Sequence, residues 1–315
     1  MPAIVCFSGN PALDRRLRVS SLRAGEVNRA VSVESFPGGK AAHVAMAFAA
    51  LGGKAVWAGF LGGAIGQECE AAMRGLGINV AAIPTAAATR VNVELIEDSG
   101  TVTEILEPGT TPTESEQAGV IAFCAKAFAD EWKGTILMIS GSLPPAMDAG
   151  FYPSLIAAAH AAGSKVFLDT SGDWLLASLP EQPEFVKINS REAAVLLEPA
   201  GHGRDSAIAA ARELVKRGAK SAAITLGEDG VVWLEKNNGP LWTARPPKLD
   251  CISPVGCGDT TFAGFAHASL NGISGEEAIR FAAACGAANC LASQAGKISM
   301  RDVQSLAPRV QVERF

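Results

Sequence analysis

A chain of 315 residues with 48% hydrophobic and 19% charged positions can bury a large core, which excludes a disordered or fibrous protein. Its formal charge of −5 argues against nucleic acid or an acidic membrane as the main partner, so any anion site must be local. Seven cysteines make an odd set without a C-x-x-C pair, which points away from a disulfide framework or a zinc site and toward reduced thiols in a cytoplasmic protein. Met1 to Phe7 lacks a basic leader, Asp14 follows too soon for a signal peptide, and no apolar run approaches bilayer length.

A first strand is expected at Ile4 to Ser8, and Asn10-Pro11-Ala12-Leu13-Asp14 follows its carboxyl end, where doubly wound folds bind ligands. Asp14 there can accept hydrogen bonds from sugar hydroxyls or close an Asx turn. Gly38-Gly39-Lys40 opens a helix at Ala41 to Leu51, so its amides and the ammonium form a candidate anion site or a plain helix-start loop. A strand at Ala55 to Phe60 and a helix at Gln67 to Leu76 come next.

Around Leu17 to Phe36 and Arg90 to Leu106 the pattern turns to period-two alternation, the second stretch split by Asp98-Ser99-Gly100 as a hairpin turn. These segments, about 12–36 and 88–108, are expected to form a small inserted antiparallel lid on a single α/β domain covering 1–315. Thr89-Arg90 starts the second segment, and a guanidinium there suits a phosphate already on the substrate, or is simply an exposed strand arginine. Two lids could pair through their exposed edges into a homodimer.

Helices are expected at Glu114 to Glu131, Tyr152 to Ala162, Arg191 to Leu197 and Ser206 to Arg217. Strands are expected at Ile136 to Ser140, Lys165 to Asp169, Phe185 to Ile188, Ala222 to Leu226 and Val231 to Glu235. Such βαβ alternation calls for a mostly parallel sheet with helices on both faces. Three strand ends carry further candidates. Ser140-Gly141-Ser142-Leu143-Pro144-Pro145 is a ligand loop or a turn. Lys187-Ile188-Asn189-Ser190-Arg191-Glu192 places an amide and a carboxylate three apart, suited to a hydrated Mg²⁺ or to a helix cap. Thr225-Leu226-Gly227-Glu228-Asp229-Gly230 is a Gly-bounded turn whose amides could meet nucleotide phosphates.

The run Ser253-Pro254-Val255-Gly256-Cys257-Gly258-Asp259-Thr260-Thr261-Phe262 is the most informative in the chain. Glycines admit a close ligand, and the free amides of a first helical turn, with the helix dipole behind them, favour an anion. Asp259 beside that anion makes sense as a base taking the proton of a hydroxyl that attacks a phosphoryl group. The plainer reading is a tight loop with Asp259 as a cap. A Rossmann fingerprint would need glycine at Thr261, and a P-loop would need Ser or Thr at Ala41 together with an earlier glycine. Cys257 lacks the partners of an acyl-transfer nucleophile. Helices at Thr260 to Leu270 and Gly275 to Ala292 close the pattern.

Taken in order, Asn10-Pro11, Gly38-Gly39-Lys40, Ser140 to Pro144, Asn189 to Glu192, Thr225 to Gly227 and Val255 to Asp259 resemble the PfkB (ribokinase-like) carbohydrate kinases over nearly the whole chain. Gly25-Glu26-Val27-Asn28-Arg29, Thr89 to Val93 and Ser140 to Pro144 look like the branch of 1-phosphofructokinases and tagatose-6-phosphate kinases. The resemblance implies a ribokinase-like doubly wound fold, ATP and Mg²⁺ as cofactors, and a ketohexose phosphate as acceptor, and leaves a monovalent cation open. It implies Asp259 as base and Gly256, Cys257 and Gly258 as anion hole. By the same carry-over, Asp14, Gly39, Lys40, His43, Arg90 and Ser142 hold the sugar phosphate. Lys187, Asn189 and Glu192 serve the ATP phosphates and, through water, Mg²⁺, and Thr225, Gly227 and Gly230 the nucleotide. Two places depart from the pattern, Ala41-Ala42-His43 where the branch carries glycine, isoleucine or leucine, and asparagine, and Ile188. His43 stands where the branch carries asparagine, a change that bears on which sugar is taken, and Ile188 replaces proline. A kinase of an unphosphorylated sugar or nucleoside, or a non-catalytic sugar-phosphate-binding protein, are the rival expectations.

Overall fold

Every second residue of a strand faces the same way, and that alternation decides the architecture. The computed structural model describes residues 3–197 and 203–315. It begins β1 (Ile4–Ser8), β2 (Ala12–Val19), β3 (Ser32–Gly38), α1 (Lys40–Ala50), β4 (Ala55–Leu61), α2 (Gly63–Gly75) and β5 (Asn79–Pro84). The hairpin β6 (Arg90–Glu97) and β7 (Val102–Leu106) precedes α3 (Glu114–Ala129), β8 (Ile136–Ser140), α4 (Phe151–Ala161), β9 (Lys165–Asp169), α5 (Gly172–Ser178) and β10 (Phe185–Asn189). Then come α6 (Ser190–Ala194), α7 (Gly203–Lys216), β11 (Ala222–Thr225), β12 (Val231–Leu234), β13 (Leu241–Arg245), α8 (Cys257–Leu270), α9 (Gly275–Cys290), α10 (Met300–Leu306) and β14 (Gln311–Arg314).

Ten strands form one sheet in the order β14-β13-β12-β11-β10-β9-β8-β1-β4-β5, parallel from β11 to β5 and antiparallel beyond β11. Ile4, Cys6, Ile136 and Met138 enter a core shared with α1, α8 and α9, whereas Val5, Phe7, Leu137 and Ile139 enter a second core with α3, α4 and α7. The strands are therefore apolar on both faces, as a sheet covered by helices requires. α1 is buried from Ala41 to Phe48 because its alanines let it lie between the sheet and α8. α8 in turn approaches α9 so closely that a side chain at Gly264 would meet the Ala282 backbone.

A second sheet, β3-β2-β6-β7, is built from the two stretches of period-two alternation. It is antiparallel except for the central pair, β2 with β6, which is parallel. Its faces differ. Asp14, Arg16, Asn92, Glu94 and Glu104 point to one side, and Leu17, Val33, Val93, Leu95 and Ile105 to the other.

Three strands and two helices go beyond the sequence expectations. β5, β13 and β14 lie at the two borders of the large sheet and exist through pairing with a neighbour, since none carries a pattern of its own. α5 and α10 have seven residues each, too few for a clear helical period. Among the described residues no helix is long and apolar enough to cross a membrane. From β1 the chain pairs toward β4 on one side and β8 on the other, which opens a crevice at the carboxyl ends of the parallel strands.

Candidate active site

The sequence motifs converge at that crevice because each follows the carboxyl end of a strand: Asn10 after β1, Ser142 after β8, Asn189 on β10 and Thr225 on β11. Two helices point their first turns there, α1 and α8, and both begin from a glycine that carries no side-chain cap. Gly39 has φ 85° and Gly256 φ 82°, conformations that other residues adopt only with strain. The preceding Gly38 has a separate reason to be glycine, since a Cβ there would overlap the Asp14 carboxylate.

Asp259 occupies the first turn of α8 and is buried. Its Oδ2 lies 2.9 Å from Nδ1 of His43, which α1 brings against α8. The other ring nitrogen, Nε2, faces Asp14 Oδ2 at 3.3 Å, an ion-pair distance without hydrogen-bond alignment. Burial works against charge on the ring, but the two carboxylates outweigh it and push the His43 pKa up to about 10. An imidazolium thus bridges the two aspartates at neutral pH. Burial likewise opposes ionisation of Asp14, yet His43, Asn92 and Arg90 hold its pKa below the ordinary value. Asn92 Nδ2 donates to Asp14 Oδ1 at 2.8 Å, a contact that the Thr89 to Val93 motif contains without assigning it a role. Asn92 Oδ1 and Glu94 Oε1 remain buried without a partner and line a small cavity with Asp14, Arg16, Phe36 and Glu104.

Across the crevice the charges form a chain. Lys187 Nζ contacts Asp169 Oδ2 at 2.5 Å, and Lys40 Nζ lies 3.1 Å from both Asp169 Oδ1 and Glu192 Oε1. Asp169 is fully buried, which alone would raise its pKa; the two lysines reverse this and lower it. Sequence reasoning missed Asp169 as a site residue, although it ends a strand as Asn189 does. Lys187 also touches the glycine loop, since a Cβ on Gly258 would stand 3.1 Å from its Nζ.

Asn189 and Glu192 form a capping box: Asn189 Oδ1 accepts from the amides of Arg191 and Glu192, and Glu192 Oε2 accepts from the Asn189 amide at 2.9 Å. Glu192 keeps Oε1 for Lys40, so the cap orients the carboxylate toward the crevice. Thr225 pairs with Asn189 across the sheet, and Gly227 and Gly230 bound a 3-10 turn that closes a hairpin to β12. Gly230, with φ 95°, packs so tightly that a Cβ would overlap the Ala244 carbonyl.

Arg90 spends three donors on backbone, to Asn10 O at 3.3 and 3.1 Å and to Glu107 O at 2.6 Å. Two of its five donors stay free beside a cleft lined by Asn10, Thr89, Thr110 and Pro144. Ser142 is exposed on its loop. The glycine loop itself hangs on buried Asn289, which donates to Val255 O at 2.7 Å and accepts from Gly296 N at 2.9 Å. No motif announced Asn289.

A buried carboxylate in the first turn of one helix, facing lysine-paired carboxylates beside the start of another, is an arrangement suited to phosphoryl transfer. The chain belongs to the pfkB family of carbohydrate kinases, whose model matches residues 3–301. It is accordingly an enzyme that transfers phosphate to an alcohol group, and membership of the family implies use of ATP.

Among its relatives is a 1-phosphofructokinase of Vibrio cholerae serotype O1, 31% identical over 98% of this chain and 96% of the relative. A 1-phosphofructokinase of Xanthomonas campestris pv. campestris is 33% identical, covering 96% of each chain. Phosphofructokinase-2 of Escherichia coli superposes in several solved forms, each spanning 98% of this chain and 99% of its own. These are a complex with fructose-6-phosphate (TM-score 0.88, 28% identity), one with potassium (0.90, 28%) and a tetrameric inhibited form (0.89, 29%). The fold is ribokinase-like.

Proposed function

We infer that the protein phosphorylates a ketohexose phosphate with ATP, converting fructose 1-phosphate to fructose 1,6-bisphosphate or tagatose 6-phosphate to tagatose 1,6-bisphosphate. The observation that carries this reading is the contact of Asp259, at the uncapped start of α8, with the His43–Asp14 pair. Oδ2 of Asp259 is held by His43, and among the described residues Oδ1 has no donor, so it is the oxygen left for an acceptor hydroxyl. As that proton moves to Oδ1, the hydroxyl oxygen bonds to the γ-phosphorus and the bond to the β-phosphate oxygen breaks, releasing ADP. The Gly258 amide and the Lys187 ammonium beside it offset charge on the transferring group, while the Cys257 amide is engaged by Pro254 O at 3.3 Å.

Asp14, with Asn92 behind it, and the unpartnered Asn92 Oδ1 and Glu94 Oε1 offer acceptors to the sugar hydroxyls. The two free donors of Arg90 suit the phosphate already on the acceptor, and the exposed Ser142 and the Gly39 amide are assigned to the same group. Lys40, paired with Asp169 and Glu192 yet partly exposed, is assigned to the sugar phosphate as well.

Thr225, Gly227 and Gly230 are assigned to the nucleotide. For Mg²⁺ the donors fit a hydrated ion and no all-protein cage: Glu192 and Asn189 are oxygen donors at one crevice wall, and no cluster of three or more metal-ligating side chains exists among the described residues. Glu192 and Asn189 would hold the ion through water, and its charge would offset that of the ATP phosphates. The potassium complex of the Escherichia coli relative supports a monovalent cation as a further ligand.

The second sheet is the lid of the site, and its outward apolar side, with Val33 and Ile105 more than half exposed, suits a second copy of this chain. One observation favours the rival reading, a kinase of an unphosphorylated sugar: Arg90 and Lys40 are already partly engaged by protein groups. Turnover of Mg·ATP with fructose 1-phosphate, tagatose 6-phosphate, fructose 6-phosphate and free fructose decides between them. Activity on one phosphate is expected, and preference for free fructose would overturn the assignment.

A further inference from the structure

The glycine loop carries a reactive group that phosphoryl transfer does not use. Cys257 is the first residue of α8 and Cys290 the last of α9, and their sulfurs lie 3.3 Å apart. Asn289 Nδ2, 3.5 Å from Cys257 Sγ, holds the thiol in this orientation while also carrying the Val255 carbonyl. Cys290 is in turn tied to the loop before the helix, its carbonyl accepting from Ile252 N at 2.7 Å. Four other cysteines, Cys6, Cys69, Cys124 and Cys285, are buried away from solvent, whereas Cys257 and Cys290 are partly accessible and Cys251 is exposed.

We propose that Cys257 and Cys290 are an oxidation site, closing to a disulfide under a hydroperoxide and switching off the glycine loop. The pair is polarised for it. A hydrogen bond from Cys290 is the main cause that lowers the Cys257 pKa, aided by Asn289 against the effect of burial, and the first turn of a helix adds a favourable dipole. The Cys290 pKa is raised by the same bond and by burial. The Cys257 thiolate attacks one oxygen of the peroxide, the O–O bond breaks, and a sulfenic acid and hydroxide result. The Cys290 sulfur then attacks the sulfenic sulfur, its proton leaving with the departing oxygen as water. One equivalent of hydrogen peroxide and two thiols give one disulfide and two waters. Closure from 3.3 Å to the roughly 2.05 Å of a disulfide moves the Cys257 end of α8 by a distance on the order of 1 Å. A shift of that size in a reacting centre costs about 10²-fold in rate. The loss of activity rests on the reading of Gly256 to Gly258 as the phosphoryl site; formation of the bond does not.

The test is peroxide treatment of the whole protein, alkylation of remaining thiols and peptide mapping, alongside turnover before and after dithiothreitol. The expected result is a Cys257–Cys290 crosslink, at least a tenfold loss of turnover, and recovery on reduction. Cys290→Ser should keep basal turnover and resist peroxide, and Cys251→Ser should still form the crosslink. Oxidation of Cys251 with no Cys257–Cys290 bond would overturn the proposal, as would a Cys251–Cys290 bond in its place. A complete crosslink that leaves turnover unchanged would overturn the switch; whether the loop is the phosphoryl site is then decided separately by Asp259→Asn.

Discussion

The two helices that start at the crevice, α1 and α8, are alike in form and opposite in charge. Each leaves its first amides uncapped behind a positive-φ glycine, but α1 carries Lys40 in its first turn and α8 carries Asp259. A lysine at a dipole-positive end is poorly placed on its own, and Asp169 at the end of β9 and Glu192 in α6 compensate it. An aspartate at such an end is well placed, and its remaining need is orientation, which His43 supplies from α1 itself. The difference shows that the charge a helix start presents is set by what neighbouring elements bring to its first turn.

The sharpest way to break this contrast is Asp259→Asn, which should lower kcat by about 10²–10⁴-fold, the usual loss for a general base, with unchanged circular dichroism. Near-normal turnover would remove Asp259 from the chemistry. Arg90→Lys tests the acceptor side: losing bidentate geometry should raise KM for a phosphorylated acceptor about tenfold, a loss near 1.4 kcal/mol, and leave KM for ATP alone. An equal rise in both constants would make Arg90 structural.

Gly256→Ala strains the α8 start, by about 1–2 kcal/mol for the left-handed backbone, and adds an overlap with Ala295. Its urea midpoint should fall, and an unchanged midpoint would mean the loop relaxes freely.

For His43 the sign follows from its raised pKa. Its charge stabilises the fold fully below its ordinary value near 6.5, and that stabilisation is lost as pH rises toward about 10. Unfolding free energy of the wild type should therefore fall more steeply than that of His43→Asn between pH 7 and 10, and parallel curves would refute the bridge. The mildest effect is expected at the solvent-exposed capping box of α3. Thr113→Ala should cost about 1 kcal/mol of stability with no change in turnover.

Much of the fold was legible because the parallel strands and their helices carry their own periods, and the two alternating stretches did assemble into a separate sheet. Edge strands such as β14, with the exposed sequence Gln311 to Arg314, carry no such signal and depend on a partner. The site was legible where glycine and charge coincide, as at Gly39-Lys40 and Gly258-Asp259. Asp169, Asn92 and Asn289 were not, because a single polar residue on a strand or helix shows its role only when the chain brings another element to it. His43 was noticed as a departure, but its contact with both aspartates needed the crossing of α1 and α8.

The 216 positions that separate His43 from Asp259 have a consequence for the newly made chain. Asp259 and His43 meet only once α8 has left the ribosome and docked on α1, by which time the whole parallel sheet has been synthesised. With Asp259 in the role proposed for it, a chain truncated before α8 should show no turnover of ATP.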